Sequence, residues 1–384
     1  MTRRTATTAA ARTVLFAHAG AELYGSDLQM LETVTAFVED GRRVVVALPN
    51  DGPLVPELGA RGAEVRIGRF PVIRRSFLSA SGLAELGRGA VRAHSDIRML
   101  IKAERPGLVY VNTTVIPWWI SAAKLAGIPV LCHLHEAENS DKKALLVALS
   151  SPLLMADGLI AISEAAKQAA IDAIPLLASR IHLVHNGVPD RASVPVSPPG
   201  GTPYRLCTLG RLSPRKGVHL AVEAARLLAE QGRDIHLEVA GTPFAGYEWY
   251  EQELRNTAAV PVLEGRVEFT GYVSPSSVVW DRSDAVIAPS LREPFGNAVV
   301  EAQLAQRPVV AVAAAGHLET VKDQVTGLHV QPDAQDIAAK VAWLIDHPAD
   351  ATRIATSARA WARTDFSLER YRAQILQVAA AVGA

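Results

Sequence analysis

Short apolar runs alternate along the chain with longer segments whose apolar positions recur at helical spacing. Thr13 to His18 (TVLFAH) reads as a buried first strand, followed by the Gly-containing loop Ala19 to Gly25. Leu28, Leu31, Val34 and Phe37/Val38 then repeat at helical spacing, with Ser26 or Asp27 placed to cap that helix. Runs at 43–48, 64–67, 108–111, 129–134, 158–162 and 181–184 predict further strands. Helices are predicted over 55–61, 83–104, 116–126, 144–155 and, capped by Ser163, up to Ile174. Strands so uniformly apolar, each followed by a helix, imply a parallel sheet covered on both faces.

Residues 189–203 break the pattern, with five prolines among Ser and Gly and no periodicity. The alternation then restarts, with strands at 204–209, 235–240, 267–270, 285–288, 309–313 and 327–330. From Asp336 onward the chain reads as helical, two long helices meeting near Asp365-Phe366-Ser367. The expected architecture is α/β, with two Rossmann-like parallel-sheet domains facing across a cleft. Their bounds are 1–188, a linker at 189–203 and 204–365, with 366–384 returning to complete the first domain.

At 384 residues the chain is long enough for two filled cores. A net charge of zero and a pI near 7.2 argue against a dedicated nucleic-acid binder. The charge is uneven: 61–105 holds 10 Lys/Arg against 4 Asp/Glu. Within it Arg69 to Ser81 carries exposed-looking aromatics and paired arginines (Phe70, Arg74, Arg75, Phe77). That stretch suits either a solvated surface or a peripheral contact with an anionic membrane. Cys132 and Cys207 sit in apolar runs and are expected in the core, which suits a reducing, cytoplasmic setting. No secretory signal or transmembrane run is legible.

Ligands of open parallel sheets lie beyond the carboxyl ends of the strands, so the residues just after strands carry the candidate chemistry. After the 285–288 strand comes Pro289-Ser290-Leu291-Arg292-Glu293-Pro294-Phe295-Gly296-Asn297-Ala298. It predicts a helix opening near Pro294, whose unpartnered first amides suit a phosphate. Glu293 before that helix and Glu301 within it offer carboxylates to hydroxyls. After the 204–209 strand, Gly210 to Gly217 places Arg211 and Lys216 where they can clamp a pyrophosphate, although the same residues fit a solvated basic turn. His135 ends the 129–134 strand and can donate to a sugar hydroxyl or a phosphate; His133 shares its face. Gly20 and Gly25 bracket a loop that either approaches a ligand or simply turns. No Asp-x-Asp, no Gly-x-Ser-x-Gly, no Gly-x-Gly-x-x-Gly after the first strand and no metal-ligand spacing occur, so no metal site is expected.

Taken together, Gly210-Arg211-Leu212…Lys216-Gly217, Asn186-Gly187-Val188, Phe269-Thr270-Gly271-Tyr272-Val273, Glu293-Pro294-Phe295-Gly296…Glu301-Ala302 and Gly327-Leu328 resemble retaining glycosyltransferase family 4, of GT-B architecture. Glu22-Leu23-Tyr24-Gly25-Ser26-Asp27 and His133-Leu134-His135-Glu136 are similar to members that build surface polysaccharides or glycolipids. The resemblance implies a catalytic set of His135, Arg211, Lys216 and Glu293. Arg211 and Lys216 would bind the donor diphosphate, and Glu301 the ribose hydroxyls. Glu293 would touch the transferred sugar, with the amides of Phe295, Gly296, Asn297 and Ala298. His135 would contact the donor sugar or its β-phosphate, and the Gly25 loop would close over phosphate and acceptor. Chemistry would need no metal or other cofactor. The donor would be a nucleoside-diphosphate sugar, UDP being the commoner base and GDP open. The acceptor would be a glycan, lipid-linked or small-molecule hydroxyl, with the enzyme cytoplasmic or peripheral on the inner face of a membrane. Two departures stand out: Gly20-Ala21 replaces the usual double glycine of the N-terminal loop, and Ala315-Gly316 stands where many members have Gly-Gly. The alternatives are a GT-B epimerase or phosphorylase, which needs no acceptor of this kind, and a non-catalytic sugar-nucleotide-binding subunit.

Overall fold

Two all-parallel sheets organise the computed structural model, which describes residues 13–73, 80–136, 147, 150–190 and 202–383, without the side chains of 80–88 and 91. The chain divides into one unit of Met1–Gly187 with Leu368–Ala384 and a second of Val188–Ser367. Both are Rossmann-like, as the strand pattern predicts.

The first unit contains β1 (Thr13–Ala17), α1 (Gly25–Glu39), β2 (Arg43–Leu48), α2 (Leu54–Ala60), β3 (Glu64–Ile67), α3 (Ala80–Glu104), β4 (Leu108–Val111), α4 (Trp118–Leu125), β5 (Val130–Leu134), β6 (Gly158–Ala161), α5 (Glu164–Ala173) and β7 (Ile181–Leu183). Its strand order is β3-β2-β1-β4-β5-β6-β7. The order reverses between β1 and β4, where Phe16 pairs with Val46 on one side and Tyr110 on the other. Phe16 stacks on Tyr110 at 4.6 Å, and Phe37 of α1 meets both rings edge-on. Ser163 caps α5 by accepting from the Ala166 amide at 3.0 Å, as expected.

The second unit contains β8 (Tyr204–Leu209), α6 (Val218–Glu230), β9 (Ile235–Ala240), α7 (Glu248–Ala258), β10 (Val267–Gly271), α8 (Ser277–Asp281), β11 (Ala285–Ala288), α9 (Asn297–Leu304), β12 (Val309–Val312), α10 (His317–Thr320), β13 (Leu328–Val330), α11 (Ala334–Asp346) and α12 (Pro348–Asp365). The order β10-β9-β8-β11-β12-β13 reverses between β8 and β11. Successive side chains point to opposite faces of a strand. Thus Leu206, Ile287 and Val310 join a core with α6 and α11, whereas Cys207, Val286 and Val309 join one with Trp280 and α9. Cys132 and Cys207 are both fully buried and unpaired.

The last helix, α13 (Leu368–Ala381), belongs to the first unit. Tyr371, Ile375, Val378 and Ala379 enter that unit's core. The Tyr371 hydroxyl lies 2.5 Å from Thr33 Oγ1, and Arg372 reaches Glu32 at 2.6 Å.

Several expectations are corrected. The C-terminal tail adds a helix, α11, capped by Asp333, before the two long helices, α12 opened by Pro348 and α13, that meet at 366–367 as expected. Of the helix predicted over 144–155, the described end at Ser151–Met155 is a 3-10 turn with Pro152 near its start; the remainder lies largely outside the described residues. Phe70 is buried against Trp119, edge-on at 5.4 Å, instead of exposed. Arg74, Arg75, Phe77 and most of the predicted linker lie outside the described residues.

Candidate functional site

In the second unit the strand-order reversal brings the loops after β8 and β11 side by side. Backbone contacts stitch them together. The Leu291 amide donates to the Arg215 carbonyl at 3.0 Å, and the Arg215 guanidinium donates to the Arg292 carbonyl at 3.2 Å. Gly217 lies so close that a Cβ there would stand 2.0 Å from the Pro289 carbonyl oxygen; its φ of +66° also favours glycine.

This approach sets Lys216 Nζ 2.5 Å from Glu293 Oε2, the two side chains 22% and 17% exposed. Enclosure pushes the Glu293 carboxyl up, but the Lys216 ammonium, His317 and Arg215 outweigh it and hold the group below its usual range. The Glu293 carbonyl accepts from Gly316 at 2.8 Å. Beside it, His317 is buried and fixed by a 3.0 Å contact between Nδ1 and the Val312 carbonyl. Burial lowers its pKa, so the imidazole is neutral near pH 7. Sequence reasoning missed His317; its signal was a position just after the β12 strand.

The helix does not open at Pro294. Gly296 adopts φ +109°, which is incompatible with a helix, so α9 begins at Asn297. The amides of Asn297 and Ala298 therefore form the first turn, and Pro294 lies in the loop before it. The Phe295 ring is a core anchor, 2% exposed and edge-on to Phe366 at 5.4 Å. Glu301 points to α8, where Oε2 accepts from Ser276 Oγ at 2.6 Å and from the Trp280 indole at 3.3 Å. The Arg211 guanidinium stands over the Phe244 ring at 4.4 Å. Of the four cations and carboxylates singled out in this unit, the structure joins Lys216 and Glu293 directly; Arg211 and Glu301 have separate supports.

In the first unit the same strand-end rule assembles a different cluster. His18 follows β1, Asn112 follows β4 and His135 follows β5. His18 Nε2 lies 2.5 Å from Asp27 Oδ1, Asn112 Nδ2 3.1 Å from His18 Nδ1, and His135 Nε2 3.1 Å from Asn112 Oδ1. All four residues are buried. His133 packs on His135 at 4.1 Å between ring centres and meets the Tyr110 hydroxyl at 2.9 Å. Burial takes His133 down to about 3 and also lowers His135. Asp27 serves α1 from its third helical position, accepting from the Tyr24 amide at 2.8 Å, rather than preceding the helix as a cap. Gly25 is the first residue of α1, and Gly20 has open space where a Cβ would stand. Neither glycine is required by a left-handed backbone.

Two family profiles match the chain in tandem: "Glycosyl transferase 4-like domain" over residues 25–187 and "Glycosyl transferases group 1" over residues 191–361. The chain belongs to the GT-B glycosyltransferases of the family 4 type. Glycogen synthase of Mycobacterium tuberculosis is 26% identical over 310 residues, 76% of this chain and 73% of that protein. The amylovoran biosynthesis glycosyltransferase AmsK of Erwinia amylovora is 28% identical over 213 residues, covering 52% of this chain and 51% of that one. The crystal structure of Anabaena Alr3699/HepE in complex with UDP shares the fold of this glycosyltransferase, with a TM-score of 0.80 at 23% identity over 96% of this chain and 100% of that one. A further structure of that neighbour is a complex with UDP-glucose.

Proposed function

We propose that this glycosyltransferase retains anomeric configuration and moves a sugar from a UDP-sugar to a hydroxyl of a glycan, lipid-linked or small-molecule acceptor. The observation that carries the reading is the Lys216–Glu293 pair at the strand-order reversal of the second unit, on loops held together by Gly217. A cation and a carboxylate in contact match a donor whose diphosphate and sugar hydroxyls adjoin. Lys216 and Arg211 take the diphosphate with the Asn297 and Ala298 amides, Glu293 takes the sugar, and Glu301 takes the ribose. The UDP and UDP-glucose complexes of the fold neighbour support the choice of base.

In this reading the C1–O bond to the diphosphate breaks and the electron pair leaves with the β-phosphate. The acceptor oxygen bonds C1 from the same face, and its proton passes to the departing phosphate. Lys216 and Arg211 stabilise the charge that develops there. In the first unit His135 contacts a sugar hydroxyl. This reading routes no step through a metal: Lys216 and Arg211 supply the positive charge.

The test is UDP release from a panel of UDP-sugars, with and without hydroxyl acceptors. Acceptor-dependent UDP release with an α-linked product from an α-linked donor is expected. An inverted product removes the retaining assignment. Epimerisation without an acceptor favours the isomerase alternative, and release from a GDP-sugar alone overturns the choice of base.

No helix among the described residues is long and apolar enough to cross a membrane. A peripheral contact has support on α3, where Met99 is 61% exposed between exposed Arg98 and Lys102, with Arg105 beyond them. Cations flanking an exposed apolar side chain suit an anionic lipid surface.

A further inference from the structure

The buried chain Asp27–His18–Asn112–His135 has a direction. The Asp27 carboxylate can only accept, so His18 must carry its proton on Nε2 to satisfy the 2.5 Å contact. The contact of His18 Nδ1 with the Asn112 amide nitrogen makes that ring atom an acceptor with a lone pair. With its NH2 held there at 3.1 Å, Asn112 turns its oxygen toward His135. An oxygen there calls for a proton on His135 Nε2, again at 3.1 Å. His135 Nδ1 is left as an acceptor with no hydrogen-bond partner among the described residues, on a side chain 8% exposed.

We infer that Asp27, His18 and Asn112 are positioning residues that fix His135 in the Nε2–H tautomer and so offer its Nδ1 lone pair to a sugar hydroxyl. The inference rests on the reading of His135 as a sugar contact and assigns its polarity: the imidazole accepts from the hydroxyl and does not donate to a phosphate. Burial and the neighbouring His133 and His18 lower the His135 pKa, which keeps the imidazole neutral. The three strands that supply His18, Asn112 and His135 are adjacent in the sheet, and Asp27 is brought in by the first turn of α1.

The chain predicts its own inversion. Asp27 Oδ2 already accepts from the Tyr24 amide at 2.8 Å. In Asp27→Asn the side-chain carbonyl must keep that bond, so the new NH2 faces His18 Nε2. His18 then moves its proton to Nδ1, Asn112 turns over, and His135 becomes the Nδ1–H tautomer. The substitution is isosteric and leaves the helix capped.

The experiment is long-range 1H–15N correlation of the histidine rings in the full chain at neutral pH, with UDP release from UDP-glucose measured in parallel. Wild type should show His135 protonated on Nε2. Asp27→Asn should move the proton to Nδ1, lower turnover about 10- to 100-fold as loss of one buried hydrogen bond does, and leave UDP affinity unchanged. An Nδ1–H signal in the wild type, which needs no variant, overturns the inference. So does an unmoved His135 proton in Asp27→Asn, or a moved proton with undiminished turnover. His135→Ala separates the two levels. If it is as active as wild type, the sugar-contact reading fails; if it is impaired while Asp27→Asn is not, the positioning chain alone fails.

Discussion

Lys216 has two anions to serve, Glu293 in the free protein and a diphosphate in the proposed complex. Lys216→Ala is expected to lower turnover with UDP-glucose about 10²- to 10³-fold, the usual cost of one preorganised donor to developing charge. Near-wild-type turnover would remove Lys216 from the donor site. Glu293→Gln separates the two roles. The amide keeps an oxygen for a sugar hydroxyl but releases the Lys216 charge. UDP should then bind at least as tightly, measured by calorimetry, while sugar transfer slows. Weaker UDP binding would mean that Glu293 orders Lys216 and does not compete for it. A third residue-scale expectation concerns acid. His133 is held at about 3 by burial against an ordinary 6.5, so the unfolded chain takes up its proton first as pH falls. Stability should therefore drop from about pH 6.5 toward 3, this residue contributing a slope of up to about 1.4 kcal/mol per pH unit. Urea unfolding at several pH values should show a shallower decline for His133→Asn; an identical decline would place the proton uptake elsewhere.

Among the connecting elements, the glycines sort themselves by what a Cβ would meet. At Gly217 it would strike the Pro289 carbonyl, and the left-handed φ alone costs about 1–2 kcal/mol for another residue. Gly217→Ala should force the loops after β8 and β11 apart, lower the thermal midpoint and raise the UDP-glucose KM. Gly20→Ala meets nothing within 4 Å and should change neither. The two glycines are indistinguishable in the sequence, because each stands in a loop between a strand and a helix. What separates them is the approach of a loop far along the chain. The strands were legible for the opposite reason. Tyr204–Leu209, Ile235–Ala240 and Ala285–Ala288 are local apolar runs, and the structure reproduces their predicted bounds. The start of α9 was misread because Pro294 is a good local helix opener, whereas Gly296 takes a φ of +109° where His317, Thr320 and Glu293 crowd the space a Cβ would fill, which only the folded chain shows. Asp27 and His18 escaped notice as a pair because each has an ordinary local reading, a helix-start carboxylate and a strand end. Their meeting with Asn112 needs the sheet order.

At the scale of the whole chain, the first unit is begun at one end of the sequence and finished at the other. Tyr371, Ile375, Val378 and Ala379 of α13 are buried in its core, and a Cβ on Gly187 would collide with Tyr371. The proposed diphosphate and ribose contacts, by contrast, all lie within Val188–Ser367. Removing residues 368–384 should therefore damage one unit and spare the other. Burying large side chains such as Tyr371 and Ile375 is worth roughly 1.5–3 kcal/mol each, so the loss is a large part of a typical domain's stability. A chain ending at Ser367 is expected to lose the protection of β1, β2 and α1 in hydrogen exchange while β8, β11 and β12 stay protected. UDP should still bind it. At about 100 times its Kd a ligand adds about 2.7 kcal/mol to the state that binds it, enough to delay exchange in the second unit alone. Loss of UDP binding on truncation, with β8 and β11 still protected, would show that the first unit supplies donor contacts that Lys216, Glu293 and Glu301 do not.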